Sequence, residues 1–434
     1  MKKILAMLLV LAMVLSLAAC TKEENKPADE NKTTDAPVVD TKTDENVELT
    51  MWCIATESDS NRHSYEAAIA DMAKKYPNIK LNWEATENQA YKTKIKAAVQ
   101  ADTMPDIFFT WSCAFLGDFV DAGRVYCLDT VYQDFKNELP EVMLGNTTYN
   151  GKHYGVPLTM NIVGLFANMD LLKQVGYTEV PGTYDEFIKC CDALKAANII
   201  PFGCAGKETW CVTEYLEPVI EKSVGADALN DIFLGRATWN NADVAAAVDT
   251  FQGLVNNGYF DPDGIALSND EVKANFMAGK YAFYINGTWN CADFDKAGLS
   301  SKIQVSEFPV VDSSKSKLGE LIGGPSDTLA VAKSSKHVKE AAECAFELAK
   351  GICKYGYLVG AGLPAWTPDY DTSNINPLTT AVSEICANAS QYVLFGDTAM
   401  SAETAGIYLD YVAKIYSSEI SGEDFVNGLV KDIK

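Results

Sequence analysis

The sequence predicts an α/β fold built as two lobes. Strand-like and helix-like segments alternate over residues 47–111, which is typical of β-α-β units and a largely parallel sheet. The chain from Val47 to Lys434 is too long for one ordinary hydrophobic core. The full sequence is 48% hydrophobic and 10% aromatic, which supplies enough apolar surface for two cores.

The first twenty residues predict an export signal rather than a membrane span. Lys2 and Lys3 precede an apolar run over residues 4–15, which is too short to cross about 30 Å of hydrocarbon. The sequence Leu-Ala-Ala-Cys that ends at Cys20 resembles a bacterial lipobox. We therefore expect residues 1–19 to be a lipoprotein signal peptide and Cys20 to carry the lipid. The alternative is an ordinary signal peptide with a chance cysteine.

Residues 20–46 are expected to be the lipidated cysteine and a disordered linker. The segment after Cys20 is rich in Lys, Glu, Asp, Asn and Thr and contains no aromatic residue, so it cannot bury enough apolar surface to fold. The folded part would then be held at the outer, extracellular face of the cell membrane by the lipid anchor.

The charge and the cysteine count narrow the function further. A net charge of −23 argues against nucleic-acid binding, which needs clusters of Lys and Arg.

Of the twelve cysteines, eleven remain once Cys20 is lipidated, and an odd number cannot pair completely. We expect most of the eleven to be small buried hydrophobic residues rather than a disulfide scaffold.

Periodicity and capping signals place the individual elements. Alternating or continuous apolar residues predict strands at 47–52, 79–83, 107–111, 281–285 and 329–332. Helical spacing predicts helices at 65–76, 91–99 and 338–350. Further helices are expected to begin after Thr183, after Asn240 or Asn241, and after Ser268, where the residue types match capping sequences.

Enzyme signatures are absent from the sequence. The three histidines lack metal-ligand spacing, and there is no G-x-S-x-G elbow, P-loop or G-x-G-x-x-G turn. Residues 261–264, Asp-Pro-Asp-Gly, place their glycine too early for an EF-hand calcium loop and favour a turn. We therefore predict no catalytic residue, metal or cofactor, although 59 acidic residues leave a glycosidase carboxylate pair open.

Several tryptophans stand at predicted turns or strand ends, where they could face a ligand. Trp rings offer flat apolar platforms for the C–H faces of sugars, while neighbouring polar groups take the hydroxyls. Packing in the core is the alternative for each ring taken singly. The residues in question are Trp111, Trp210, Trp289 and Trp366.

Several distinctive segments follow one another across nearly the whole chain after residue 46. They include Pro-Asp-Ile-Phe-Phe-Thr-Trp at 105–111, Tyr-Gly-Val-Pro at 154–157, Phe-Met-Ala-Gly-Lys at 276–280, Ile-Asn-Gly-Thr-Trp at 285–289 and Gly-Gly-Pro-Ser-Asp at 323–327. In this order the set resembles the extracellular solute-binding proteins of ATP-driven sugar importers, the branch that includes maltose-binding protein.

The resemblance implies a two-lobed periplasmic-binding-protein type II fold with a hinge and an interlobe ligand cleft. Residues 47–157 plus 310–355 would form lobe 1, and residues 158–309 plus 356–434 would form lobe 2. The ligand-binding residues that the resemblance implies are Glu57, Trp111, Asn161, Trp210, Trp289, Gly324, Asp327 and Trp366.

The function implied is that of a lipid-anchored, monomeric receptor without enzymatic activity. It would bind a carbohydrate, expected to be an oligosaccharide, and deliver it to the transmembrane subunits of an ABC permease. Three alternatives stay open from the residues: the same fold binding a polyamine or a peptide, a surface glycosidase, and a purely structural adhesion lipoprotein.

Overall fold

The computed structural model describes residues 46–433. The expected signal peptide, Cys20 and almost all of the expected linker lie outside the described residues. Within the described part, no helix is both long enough and apolar enough to cross a membrane.

The described residues form fourteen strands, sixteen α-helices and three 3₁₀ helices. The strands are β1 Val47–Cys53, β2 Ile79–Ala85, β3 Ile107–Trp111, β4 Thr148–Tyr149, β5 Lys152–His153, β6 Val156–Pro157, β7 Thr159–Asn168, β8 Ile200–Phe202, β9 Tyr281–Gly287, β10 Ile303–Ser306, β11 Glu320–Gly324, β12 Asp327–Val331, β13 Leu363–Pro364 and β14 Gln391–Val393. The α-helices are α1 Arg62–Lys75, α2 Asn88–Ala101, α3 Cys113–Asp121, α4 Asp129–Phe135, α5 Met169–Gln174, α6 Tyr184–Ala196, α7 Trp210–Val224, α8 Ala226–Phe233, α9 Ala242–Asn256, α10 Asn269–Met277, α11 Cys291–Lys296, α12 Val338–Val359, α13 Pro377–Ala387, α14 Gly396–Ala399, α15 Ala402–Tyr416 and α16 Gly422–Asp432. The 3₁₀ helices are Glu141–Thr147, Gly264–Ala266 and Thr288–Asn290.

The first lobe is organised around a five-stranded sheet in the order β2-β1-β3-β12-β6. The pairs β1–β2 and β1–β3 are parallel, as the β-α-β pattern of residues 47–111 predicts. Strand β12 returns antiparallel beside β3, with Asp327 opposite Trp111. The side chains of these two strands pack with α1 and α12 into one core.

The second lobe is organised around a sheet in which the long strand β7 is central. Strands β9, β10, β11 and β13 all pair antiparallel to β7, while β8–β9 and β11–β14 are parallel. The β-α-β pattern of residues 47–111, from which a largely parallel sheet is predicted, does not extend to this lobe. The chain enters it through several separate crossings instead of through successive β-α-β units, so strand direction does not follow from local alternation.

The strand pairing also differs from one predicted lobe boundary. The predicted first lobe includes residues 310–355, yet β11 pairs with β7 and β14 in the second sheet. The chain returns to the first sheet only at β12, after Gly324 and Pro325. Gly324 has φ +137° and its neighbour Gly323 has φ +141°, a left-handed backbone that favours glycine. At Gly323 a Cβ would lie 2.3 Å from the carbonyl oxygen of Asn161, so this crossing requires glycine for space as well.

The predicted capping residues begin their helices as expected. Ser268 forms a complete capping box with Glu271, and the side chain of Thr183 accepts a hydrogen bond from the Glu186 N–H. Asn241, rather than Asn240, caps α9. Helix α12 continues past its predicted end at 350 and is capped by Gly360, whose φ of +88° suits a helix terminus.

All eleven cysteines of the described residues are free thiols, and eight of them are buried. Burial raises the pKa of several of these thiols, for example that of Cys53 to about 12. The prediction that most of these cysteines act as small buried hydrophobic residues is confirmed.

Candidate functional site

A cavity of about 600 Å³ collects residues from both sheets. The first lobe contributes the loop after β1, the start of α2 and the adjoining ends of β3 and β12. The second lobe contributes the loop before α7, the start of α10, the turn after β9 and helix α14. The carboxyl ends of β1 and β3 open onto this cavity, which is where parallel strands of α/β sheets usually present ligand sites.

Three aromatic rings form a continuous wall on the second-lobe side. The rings of Trp210 and Trp289 have centroids 6.2 Å apart, and Phe395 follows Trp289 at 6.3 Å. Gly287 makes this placement possible, because a Cβ there would lie 2.0 Å from the Trp289 ring. The Trp210 indole N–H donates to the Glu208 carboxylate at 3.3 Å, which fixes the tilt of that ring.

Trp111 and Asp327 lie side by side on the first-lobe side. They are cross-strand partners of β3 and β12, so their side chains project from the same face of the sheet. Trp111 is only 7% exposed and makes edge contacts with Phe109 and Phe115, at 4.9 and 5.1 Å between ring centroids. It is therefore both a core residue and part of the cavity lining.

Several buried polar atoms without a protein partner belong to residues that line the cavity. Nine such side-chain atoms occur in the described residues, and four of them belong to residues that line this one cavity. The four are Asn61 Oδ1, Tyr65 OH, Asn88 Oδ1 and Glu214 Oε2. Because a buried polar atom without a hydrogen bond costs stability, four such atoms on the residues of one cavity indicate a place for polar ligand groups.

The lining charges divide into paired and unpaired groups. Lys92 of α2 pairs with Asp397 of α14 at 2.8 Å, and Lys273 pairs with Asp293 at 2.7 Å. The third lining cation is Lys207. By contrast, the lining carboxyls of Asp59, Glu214 and Asp327 take part in no ion pair of the described structure. The full set of lining carboxyls outnumbers these three cations, and comprises Asp59, Glu87, Glu208, Glu214, Asp270, Asp327 and Asp397.

The pKa values of the unpaired carboxyls follow their surroundings. Burial, reinforced by the nearby Asp59 charge, raises the pKa of Asp327 to about 7. Burial also raises the pKa of Asp59 to about 6, against a backbone N–H from Asn61 that favours the charged form. Burial and the neighbouring Glu217 and Asp397 raise the pKa of Glu214 well above its ordinary value. Asp59 and Asp327 therefore titrate near neutral pH.

Four of the eight predicted ligand-binding residues line the cavity: Trp111, Trp210, Trp289 and Asp327. Glu57 does not, because its side chain is 87% exposed and pairs with Arg62 at 3.0 Å. Gly324 lies at the lobe crossing, where its role is conformational.

The remaining two predicted residues, Asn161 and Trp366, are enclosed by other protein groups and do not line the cavity. Asn161 is buried beneath the site, where its Oδ1 accepts from the Thr288 hydroxyl at 3.1 Å. Trp366 packs in the first-lobe core against Phe135 and Phe346, and its indole N–H donates to the Pro157 carbonyl at 2.9 Å. Its ring is 3% exposed, so the expectation that it stacks on a ligand does not agree with its position.

Sequence reasoning missed several lining residues. Asp59 lies in the loop after the first strand, where a ligand site is expected, so its position in the sequence could have marked it as a site residue. Glu214 follows Trp210 by four residues, so both lie on one face of α7. Lys92, Phe395 and Asp397 carry no local signal, because only the tertiary fold brings the start of α2 and the residues around α14 to the same cavity.

The arrangement suits the binding of a polyhydroxylated molecule. The aromatic wall can cover an apolar face, while the carboxyl, amide and phenol groups elsewhere in the lining can take hydroxyls. No group of three or more His, Cys, Asp or Glu side chains in residues 46–433 is placed to hold a metal ion.

Comparison with known proteins agrees with this architecture. A solved structure from the thermophilic bacterium Caldanaerobius polysaccharolyticus, obtained in a study of xylan utilization, is 33% identical. It covers 89% of this chain and 100% of its own, with a TM-score of 0.86. A chitin oligosaccharide binding protein, 22% identical, shares the fold over 89% of this chain and 98% of its own, with a TM-score of 0.82. The multiple sugar-binding protein of Streptococcus mutans is 24% identical over 75% of this chain and 73% of its own length.

The family profile described as bacterial extracellular solute-binding protein matches residues 58–350, well over half of the chain. This match confirms the resemblance noted in the sequence, and the two-lobed α/β architecture is that of the solved relatives. The chain belongs to the bacterial extracellular solute-binding protein family.

Proposed function

We propose that this protein is the receptor of an ABC sugar importer, binding an oligosaccharide between its lobes without altering it and passing it to the membrane permease. The observation that carries the proposal is the aromatic wall of Trp210, Trp289 and Phe395 in a cavity whose lining residues also carry buried polar atoms without protein partners. Relatives described by xylan utilization, chitin oligosaccharides and multiple sugars support a saccharide as the ligand class.

The volume of the cavity supports a ligand of more than one sugar ring. At about 600 Å³ it lies within the range of ligand pockets that enclose drug-sized molecules. Three rings in a row provide more than one stacking platform, as an oligosaccharide requires.

Attachment to the membrane belongs to the same proposal. A lipid on Cys20, with residues 21–46 as a tether, would keep a monomeric receptor at the extracellular face, close to its permease. A tether raises the effective concentration of the receptor near its partner, so capture and delivery become efficient.

The proposal is tested by thermal shift with xylotriose, chitotriose, maltotriose and raffinose, alongside spermidine and a tripeptide. A saccharide at 100 times its Kd should stabilise the protein by about 2.7 kcal/mol. Trp289→Ala should abolish the shift at the same concentration. Trp52→Ala, which removes a half-buried tryptophan outside the cavity, should retain it. Stabilisation by spermidine or the peptide alone would refute a sugar as the ligand, and release of shorter products from a saccharide would indicate a glycosidase.

A further inference from the structure

Helix α7 carries three buried glutamates, at positions 214, 217 and 221, and they differ in whether the carboxyl has a protein partner. Glu217 accepts hydrogen bonds from the Gly396 N–H at 3.1 Å and from the Tyr408 hydroxyl at 3.1 Å. Glu221 pairs with Lys222 at 3.2 Å and accepts from the Ser316 hydroxyl at 3.0 Å. Glu214 is 3% exposed, and its Oε2 has no hydrogen-bond partner in the described structure.

Glu214 lacks a protein partner because of its position in the cavity lining. Glu217 and Glu221 do not line the cavity, whereas Glu214 does, one helical turn after Trp210 of the aromatic wall. No lysine of the described cavity lining forms an ion pair with it, and two of the three lining lysines are paired with aspartates instead. A carboxyl that is deeply buried and unpaired, on a residue that lines a cavity, costs folding stability unless something from outside the protein completes its hydrogen bonds.

We infer that Glu214 is a recognition group of the cleft and bonds directly to a hydroxyl pair on the sugar ring that lies against Trp210. This inference rests on the proposed sugar-binding function and adds to it a residue that determines specificity. A carboxyl has two oxygens that can bond two neighbouring ring hydroxyls, so it suits a sugar with adjacent free hydroxyls at this position. A sugar substituted on those hydroxyls should not fit.

The test compares Glu214→Leu with Glu221→Leu, using the four saccharides of the thermal-shift panel as probes and titration calorimetry to measure Kd. Glu214→Leu should raise the Kd about ten- to a hundredfold, since it removes a buried hydrogen-bonding group. Its melting temperature without saccharide should stay the same or rise, because the variant removes a group that the protein itself leaves unbonded.

Glu221→Leu is the matched control on the same helix. It should lower the melting temperature, because Lys222 and Ser316 lose their partner, and it should leave the Kd within about threefold of the parent protein. A residue with a merely structural role at position 214 would give this same pattern.

Each outcome decides between the two proposals. A Kd for Glu214→Leu close to that of the parent protein, or failure of that variant to fold, would overturn the inference while leaving sugar binding in place. Absence of binding by the parent protein to all four saccharides would instead remove the proposed function, and the inference with it.

Discussion

The carboxyl of Asp327 should make the ligand-free protein less stable as the pH rises. Its pKa is raised from the ordinary 3.8 to about 7 by burial and by the Asp59 charge. The folded state therefore holds a proton that the unfolded state has already lost, and the stability cost grows as the pH rises from about 4 to 7. Below about pH 4 the carboxyl is protonated in both states and contributes no difference.

The size of the effect follows from the shift. A shift of about three pKa units lowers the free energy of unfolding by about 4 kcal/mol once Asp327 is fully ionised in the folded state. About 2.5 kcal/mol of this loss occurs between about pH 5 and pH 8. The variant Asp327→Asn lacks the titrating group while keeping the backbone carbonyl that accepts from the Leu158 N–H. The free energy of unfolding of the variant should therefore fall by about 2.5 kcal/mol less than that of the parent protein over this pH interval.

The assay is urea denaturation of both proteins at about pH 5 and pH 8 without saccharide, with the free energy of unfolding taken from each curve. Asp59, whose pKa burial raises to about 6, is present in both proteins, so its own titration contributes to both pH profiles and largely cancels in the comparison. Equal pH dependence in the two proteins, or a steeper loss in the Asn variant, would refute the reasoning.

Three further predictions concern the core, the cavity charge and the anchor. Trp366→Ala should cost about 3–5 kcal/mol of stability with little change in saccharide affinity, because the ring is part of the first-lobe core; denaturation and calorimetry together check this. Trigalacturonic acid should give no thermal shift, because the lining already has an excess of carboxyls; a shift equal to that of a neutral trisaccharide would contradict it. Cys20→Ala should move the protein from the membrane fraction to the soluble fraction on cell fractionation, and continued membrane attachment would exclude the proposed lipid anchor.

Local patterns predict the elements whose contacts are close in sequence. Strand β3 has its predicted bounds, and the Ser268 capping box is predicted from four residues, because such signals depend only on neighbours along the chain. The antiparallel second sheet cannot be predicted in this way. Its central strand β7 meets partners that arrive from several distant parts of the chain.

Local patterns also fail to separate the predicted site residues that line the cavity from those that do not, because the difference depends on the tertiary fold. Trp289 and Trp366 have similar turn-rich surroundings in the sequence, yet one lines the cavity and the other is enclosed by Phe135 and Phe346. Asp397 reaches the cavity only because α14 packs against α7, a contact that no local pattern expresses.

The central claim, that an oligosaccharide binds between the lobes against the tryptophan wall, is tested most directly by intrinsic tryptophan fluorescence. Trp111, Trp210 and Trp289 all line the cavity, so a bound sugar must change their surroundings. Titration with the four trisaccharides should give a saturable change in emission with at least one of them, at one ligand per protein, and Trp289→Ala should diminish it. A saturable change with spermidine or a tripeptide, and none with any saccharide, would contradict the account.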